Sequence, residues 1–185
     1  MLKRFLPHGL PPSLRSATLP YSDRLEKVVL HAVQDSTSAE PSFPELVKPF
    51  QERVGSLMYA CNATRCDIAF PVHTLCRAMS RPTPECMLEC DRIFAYLSRH
   101  SSVGLTFGSG KHSLHGFADA SWEVKNSTSG WLVKWQNSVI AWGSRKQKCV
   151  ALSTCEAEIV ALSEGYGLLQ EAARRSRPNL RRRPL

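Results

Sequence analysis

The spacing of apolar residues divides the chain near residue 103. Before that point apolar residues recur every three or four positions, the period of an amphipathic helix. The pattern predicts one helix over residues 50–63, a second over Asp67–Met79, and a third that begins with Thr83 as N-cap and ends at residues 98–100. The apolar positions of the first and third are Val54, Leu57, Met58 and Cys61, and Met87, Cys90, Phe94 and Leu97.

After residue 103 the apolar residues fall in short runs bounded by turn-forming residues, which is typical of β-strands. The predicted strands are Gly104–Phe107, Ser113–Ala120, Gly130–Trp135 and Val139–Trp142, with Lys148–Leu152 as a further extension of the last. Residues 136–138 predict the turn between the third and fourth strands. Ser153 and Glu156 fit a capping box, so a helix is expected to begin there. Antiparallel strands followed by a covering helix predict an α+β fold.

The two ends of the chain differ from this body in composition. Residues 1–49 are rich in proline and serine, which predicts an extended leader or linker with one short strand or helix near Leu25–Ala32. Residues 172–185 hold six arginines and no acid, and so contribute +6 to the net charge of +8. Such a tail attracts any polyanion, nucleic acid included, without reading its sequence. The alternative is an unstructured, solvated end.

Seven cysteines and the absence of a long apolar run bear on the compartment. No run is long enough for a membrane span, and the first residues lack the apolar stretch of a secretory signal. The sequence therefore predicts an intracellular protein, cytoplasmic or nuclear, with free thiols. The pairs Cys61/Cys66 and Cys86/Cys90 approach zinc-ligand spacing, but neither has a second half, so zinc is not favoured.

Two acidic residues, Asp119 and Glu158, lie at positions where a carboxylate is disfavoured. Asp119 lies near the end of a predicted strand, where aspartate is disfavoured. It either closes the strand before a turn or points into a site. Glu158 falls, on a helical wheel, in the middle of an apolar stripe, where an unpaired carboxylate is costly. It either emerges at the helix start or has a partner. Together the two acids could hold Mg²⁺, which prefers oxygen ligands.

Several longer blocks resemble the polyproteins of copia-type LTR retrotransposons. They are VGSLMYACNATRCDIAFPVHTLCRAMSRPTPE, RIFAYLSRHSSVGLTFG, GFADASW and STSGWLVKWQNSVIAWGSRKQKCVALSTCEAEIVALSEG, and together they cover about residues 50–171. In that family this run leads from the end of the reverse transcriptase into its RNase H domain. The resemblance implies four segments: a polymerase remnant and proline-rich linker over 1–49, a helical connection over 50–102, the N-terminal part of an RNase H-like domain over 103–171, and an unrelated arginine-rich tail over 172–185.

The resemblance also implies a chemistry, which is Mg²⁺-dependent cleavage of the RNA strand of an RNA–DNA hybrid. Asp119 and Glu158 match the first two catalytic, metal-binding carboxylates of the family. The third aspartate, expected on a following strand, has no counterpart, because the only later acids are Glu164 and Glu171 on the helix that carries Glu158. Ser121 also replaces a second aspartate that is common in the family. A truncated, inactive domain is therefore expected.

An alternative function is a non-catalytic remnant or interaction module that binds nucleic acid weakly and no membrane. Its partner would be an RNA–DNA hybrid or another nucleic acid, attracted in a salt-dependent way. The candidate nucleic-acid-binding residues are Arg145, Lys146, Lys148, Arg174, Arg175, Arg181, Arg182 and Arg183. A solvated charged face without a ligand is the ordinary alternative for such a set.

Overall fold

The structure is a computed structural model that describes residues 5, 12–14, 18–34, 40–108, 113–123 and 126–176. It divides into two compact units, called here the helical unit (Met1–Gly104) and the sheet unit (Leu105–Leu185). The predicted α+β class is confirmed, with five α-helices and three strands among these residues. Within them, no helix is both long and apolar enough to cross a membrane.

Among its described residues, the helical unit contains four α-helices: α1 (Leu25–Gln34), α2 (Pro44–Ala63), α3 (Ala69–Cys76) and α4 (Pro84–Arg99). Short 3-10 turns precede α1 and α3, at Pro12–Leu14 and Cys66–Ile68. The start of α4 is as predicted: the Thr83 hydroxyl accepts a hydrogen bond from the Cys86 N–H at 3.4 Å, and Pro84 takes the first helical position. The helix predicted over Asp67–Met79 is shorter and divided, because a 3-10 turn occupies its first residues.

The extended linker predicted for residues 1–49 was wrong for residues 44–49, where α2 begins, whereas the short strand or helix expected near Leu25–Ala32 is present as the helix α1. α1 is a full helix, and α2 begins at Pro44, because a proline at the first helical position gives up no hydrogen bond. Leu14, Leu25 and Val29 are fully buried in the helical unit. The segment before α1 is also anchored by polar contacts, since the Ser22 N–H donates to the buried carboxylate of Glu89 at 3.2 Å. These residues belong to the core.

Large apolar side chains fill the helical unit. Eight of them, from α2, α3, α4 and the turn before α3, are at most 1% exposed: Phe50, Val54, Leu57, Ile68, Val72, Leu75, Ile93 and Phe94. The ring of Phe5 stacks on that of Phe94, with centroids 5.0 Å apart. Burial of side chains this large contributes roughly 1.5–3 kcal/mol each to folding.

A polar cluster joins the end of α2 to the end of α4. The buried guanidinium of Arg65 donates to both carboxylate oxygens of Asp67, at 3.0 and 2.8 Å, and to the His100 carbonyl at 2.9 Å. The Tyr96 hydroxyl donates to the same carboxylate at 2.9 Å. The pKa of Asp67 is raised by burial but lowered more by these hydrogen bonds, so it lies below its usual range.

The sheet unit contains an antiparallel sheet in the order β1 (Leu114–Ser121), β2 (Thr128–Trp135) and β3 (Ser138–Lys146), followed by α5 (Thr154–Ser176). The predicted turn is present, and Gln136 and Asn137 both have positive φ, as a two-residue hairpin turn requires. The prediction of a strand over residues 104–107 is wrong. This run begins at Gly104, is followed by Gly108, and pairs with no described strand. Residues 148–152 likewise form a loop before α5.

α5 lies close against the sheet because its inner face is small. Ala157 and Ala161 are fully buried there. A Cβ atom placed on Gly165 would lie 3.3 Å from the Ala118 Cβ and 3.4 Å from the Trp131 Cβ, so the helix backbone packs almost directly on β1 and β2. The helix therefore covers one face of the sheet, and that face contains Ala118 and Trp131.

Candidate functional site

Asp119 lies on β1 opposite Gly130 of β2, and it is exposed. Gly116 and Ala118, two positions apart on the same strand, both face α5. A Cβ atom on Gly116 would contact Leu169 of α5, and a Cβ atom on Gly165 of α5 would contact Ala118. Side chains alternate between the two faces of a strand. Asp119 therefore projects from the face of the sheet that α5 does not cover.

Glu158 lies in the first turns of α5 and is half-buried. The prediction that it occupies the middle of the buried stripe was wrong, because Ala157, Ala161 and Gly165 form that stripe and Leu162 is 56% exposed. Close contact between a helix and a sheet selects small residues, and the exposed Leu162 lies outside that contact. Glu158 borders the stripe.

The side-chain directions of Asp119 and Glu158 do not by themselves indicate a shared magnesium site. Asp119 leaves the sheet away from the helix that carries Glu158, and Mg²⁺ needs its ligands in near-octahedral geometry around one point. Among the described residues, no group of three or more His, Cys, Asp or Glu side chains could hold a metal ion. Shared Mg²⁺ ligation by Asp119 and Glu158 stays a prediction without support from this geometry.

The later acids of α5 are engaged by arginines. Arg145 of β3 contacts Glu164 at 2.9 Å, and Arg175 contacts Glu171 at 2.9 Å one helical turn away. The Glu164 carboxylate is mostly buried, whereas the pair at Glu171 is open to solvent. Both carboxylates therefore take part in ion pairs with arginine, Glu164 in a mostly buried position and Glu171 in an exposed one.

The predicted nucleic-acid-binding residues are spread along the sheet unit. Arg145, Lys146 and Arg175 each pair with an acid, namely Glu164, Glu123 and Glu171. Lys148, in the loop before α5, and Arg174, in the last turns of α5, are exposed. α5 continues to Ser176, so the first residues of the predicted unstructured tail are helical. The remaining candidates, Arg181, Arg182 and Arg183, lie outside the described residues.

Sequence reasoning missed Gln147, which joins the sheet to the start of α5. Its side chain is 2% exposed, and its amide nitrogen donates to the Ser129 hydroxyl at 3.0 Å and to the Ala157 carbonyl at 2.8 Å. Gln147 lies between two lysines in the sequence, so its surroundings indicate a solvated loop. Nothing in the local pattern marks it as buried.

All seven cysteines are free thiols. Cys90 is fully buried in the helical unit, and burial raises the pKa of its thiol well above the usual value. Cys149 and Cys155 are exposed beside the start of α5. A thiol with a raised pKa is a weak nucleophile at neutral pH, so Cys90 acts as a small core residue.

Comparison with known proteins finds relatives of two kinds. The chain is 39% identical over 121 residues to "Secreted RxLR effector protein 161" of Plasmopara viticola, a match that covers 63% of this chain and 85% of that protein. It is 38% identical over 120 residues to "Retrovirus-related Pol polyprotein from transposon TNT 1-94" of Nicotiana tabacum, which covers 63% of this chain and 9% of the polyprotein.

A longer match is to "Retrovirus-related Pol polyprotein from transposon RE1" of Arabidopsis thaliana, 33% identical over 165 residues, which are 83% of this chain and 11% of the polyprotein. The chain thus spans about a tenth of the length of these polyproteins. No protein-family model matches it, and no solved structure does.

Proposed function

The chain belongs to the family of copia-type retrotransposon Pol polyproteins, and on that premise we propose that its sheet unit is the N-terminal part of an RNase H-like domain that does not cleave RNA by itself. The supporting observation is the order of elements: an antiparallel β1-β2-β3 sheet followed by one helix packed on a single face. Asp119 lies on the first strand and Glu158 on that helix, the positions that the family resemblance assigns to carboxylates.

The orientation of Asp119 supports the lack of cleavage. Two-metal hydrolysis requires carboxylates that converge on the ions, which activate water and stabilise the leaving oxygen. Asp119 projects from the face opposite α5, while Glu164 and Glu171, the later acids of the helix, are paired with Arg145 and Arg175. We propose that Asp119 and Glu158 derive from Mg²⁺ ligands and that these 185 residues do not complete the site.

A cleavage assay tests this proposal directly. The purified chain is incubated with a fluorescently quenched RNA–DNA hybrid and Mg²⁺, beside Asp119→Asn and Glu158→Gln. Ser121→Ala, a neutral change two positions along the same strand, is the matched control, and a characterised RNase H verifies the substrate. We expect no cleavage above the buffer rate from any form of the chain. Cleavage that is lost in Asp119→Asn and kept in Ser121→Ala would refute the proposal.

Metal binding provides a readout that does not depend on activity. Mn²⁺ in place of Mg²⁺ broadens the NMR signals of amides near its site. We expect no selective broadening that includes both Asp119 and Glu158 at stoichiometric Mn²⁺. Broadening of both amides that Asp119→Asn abolishes would establish a shared site.

A second proposal is weak, sequence-blind binding of nucleic acid through the arginines at the end of the chain. Arg174 is exposed and is the first of six arginines within residues 174–183, whereas Arg145 and Lys146 are already paired with acids. Replacing the six arginines by glutamine should abolish the binding of a labelled RNA–DNA hybrid at low salt. Unchanged binding in that variant would show that the tail is not the contact.

A further inference from the structure

A basic cavity lies in the helical unit, between α1 and the start of α4. Its volume is about 420 Å³, and six residues line it: Arg24, Lys27, Val28, His31, Thr83 and Glu85. We propose that this cavity binds a phosphate group, supplied by the backbone of a nucleic acid or by a free phosphate. The inference rests on the helical unit alone and is independent of the function proposed for the sheet unit.

Charge is the first argument. Arg24, directly before α1, and Lys27 and His31 of α1 line the cavity, and all three side chains are exposed, so their donors reach it without burying a charge. Glu85 is the only acid among the lining residues. The lining therefore holds two fixed positive charges and an imidazole against one carboxylate. Arginine and lysine are the side chains that bind phosphate through charge-assisted hydrogen bonds.

The start of α4 adds to the positive electrostatic potential at the cavity. α4 has 16 residues, and the N-terminal end of a helix carries a partial positive charge. The first amides are not the donors, however: Pro84 has no N–H, and the Cys86 N–H already bonds the Thr83 hydroxyl. The ligand contacts are therefore assigned to Arg24 before α1 and to the side chains of α1, and the start of α4 contributes only its dipole.

Glu85 places a carboxylate at the rim of the cavity. Its pKa is lowered by a hydrogen bond from its own backbone N–H, by the Thr83 hydroxyl and by the nearby His31. The carboxylate is thus an internal anion at the rim of the cavity. It competes with an incoming phosphate, so its removal should strengthen binding.

The test follows amide signals of the full ¹⁵N-labelled chain during titration with inorganic phosphate and, separately, with a short oligothymidylate. Both ligands should shift the amides of α1 and the start of α4. Arg24→Glu/Lys27→Glu should weaken binding at these amides at least about 10-fold, the loss of one or more charge-assisted hydrogen bonds. Glu85→Gln should tighten it by a few-fold, on the order of one removed repulsion.

The matched control is Lys48→Glu/Arg77→Glu, which makes the same change of net charge at two exposed positions of the same unit. It should leave the affinity within about twofold, and circular dichroism should show all variants folded. Shifts with the oligonucleotide alone, lost in Arg24→Glu/Lys27→Glu, would assign the phosphate to a nucleic-acid backbone. Shifts confined to the C-terminal arginines, or an equal loss in both charge reversals, would overturn the proposal.

Discussion

The helical unit and the sheet unit each have their own core, and the buried side chains differ in size between the two. In the helical unit, phenylalanine, leucine and isoleucine are fully buried, and Phe50 and Phe94 are the largest of them. In the sheet unit, the described apolar residues that are buried are Val133, Ala151, Ala157 and Ala161. Some of its larger side chains, such as Phe117 and Tyr166, are more than half exposed. The helical unit therefore has a conventional core, and the sheet unit has a thin one.

Both units contain buried polar atoms without a hydrogen-bond partner among the described residues, Arg53 Nε and Arg92 Nε being examples in the helical unit. The helical unit surrounds Arg65 with Asp67, Tyr96 and a backbone carbonyl, so its charge is fully paired. In the sheet unit, Trp131 Nε1 and Gln147 Oε1 are buried without a hydrogen-bond partner among the described residues. Unpaired buried polar atoms cost roughly 1–3 kcal/mol each. From the larger buried apolar side chains of the helical unit, we infer that most of the stability of the chain lies there.

The largest expected effect is therefore in the core of the helical unit. Phe94→Ala removes a fully buried ring, and with it the stacking contact with Phe5. It should lower the free energy of unfolding by about 3–5 kcal/mol. Hydrogen exchange of peptides from α2 and α4 in increasing denaturant measures the loss. Tyr59→Ala is the control, because this α2 side chain is 76% exposed and should change stability by less than about 0.5 kcal/mol. Equal effects of the two changes would contradict the assigned core.

The sheet unit should be sensitive to added volume instead. A Cβ on Gly143 would lie within 2.7 Å of Trp131 Cε2, so Gly143→Ala must push the ring out of place, at about 1–3 kcal/mol. All four tryptophans lie between residues 122 and 142, so tryptophan fluorescence during chemical unfolding reports this unit. Gly130→Ala is the control, since only a backbone oxygen at 4.0 Å lies near its Cβ. A Gly143→Ala protein as stable as Gly130→Ala would show that Trp131 does not cover this strand.

The polar cluster of the helical unit should give a pH-dependent difference. The pKa of Asp67 is lowered in the folded state, so its ion pair contributes fully above the unfolded pKa of about 3.9 and is lost as the pH falls through the folded value. Asp67→Asn should cost about 1–2 kcal/mol at neutral pH, a partly exposed charged hydrogen bond. The exposed Asp23→Asn is the control. A cost that does not shrink below about pH 4 would show that the charge of Asp67 is not its source.

The sequence predicted the helices of the helical unit where local signals are strong. Thr83 and Pro84 mark the start of α4, and the apolar spacing at Val54 and Leu57 places α2. The beginning of α2 was missed, because prolines near residue 44 also indicate a linker. Local composition does not show that such a segment is buried. The segment before α1 is a similar case, because its Ser22 N–H bonds Glu89 of α4, which lies 67 positions further along the chain.

The candidate site was less predictable for a similar reason. Asp119 and Glu158 were found on the predicted strand and helix, but their directions depend on which face of the sheet α5 covers. That face is set by small residues, Ala118 and Gly165, which carry no strong signal in a hydrophobic pattern. The helical wheel gave more weight to Leu162, which is exposed. Gln147 is a further case, since both its partners are distant in sequence.

The smallest expected effect is at the surface of the sheet unit, and it completes the comparison with Asp67. Glu171 and Arg175 form an exposed pair one helical turn apart, at 2.9 Å. Such pairs contribute only about 0.3–0.5 kcal/mol, because water and salt screen the charges. A double-mutant cycle with Glu171→Gln and Arg175→Gln measures the coupling by hydrogen exchange of α5. The coupling should vanish in 1 M salt, where the screening length is about 3 Å. A coupling above about 1 kcal/mol that survives high salt would mean that this end of α5 is shielded from solvent, and that the two units differ less than their buried residues indicate.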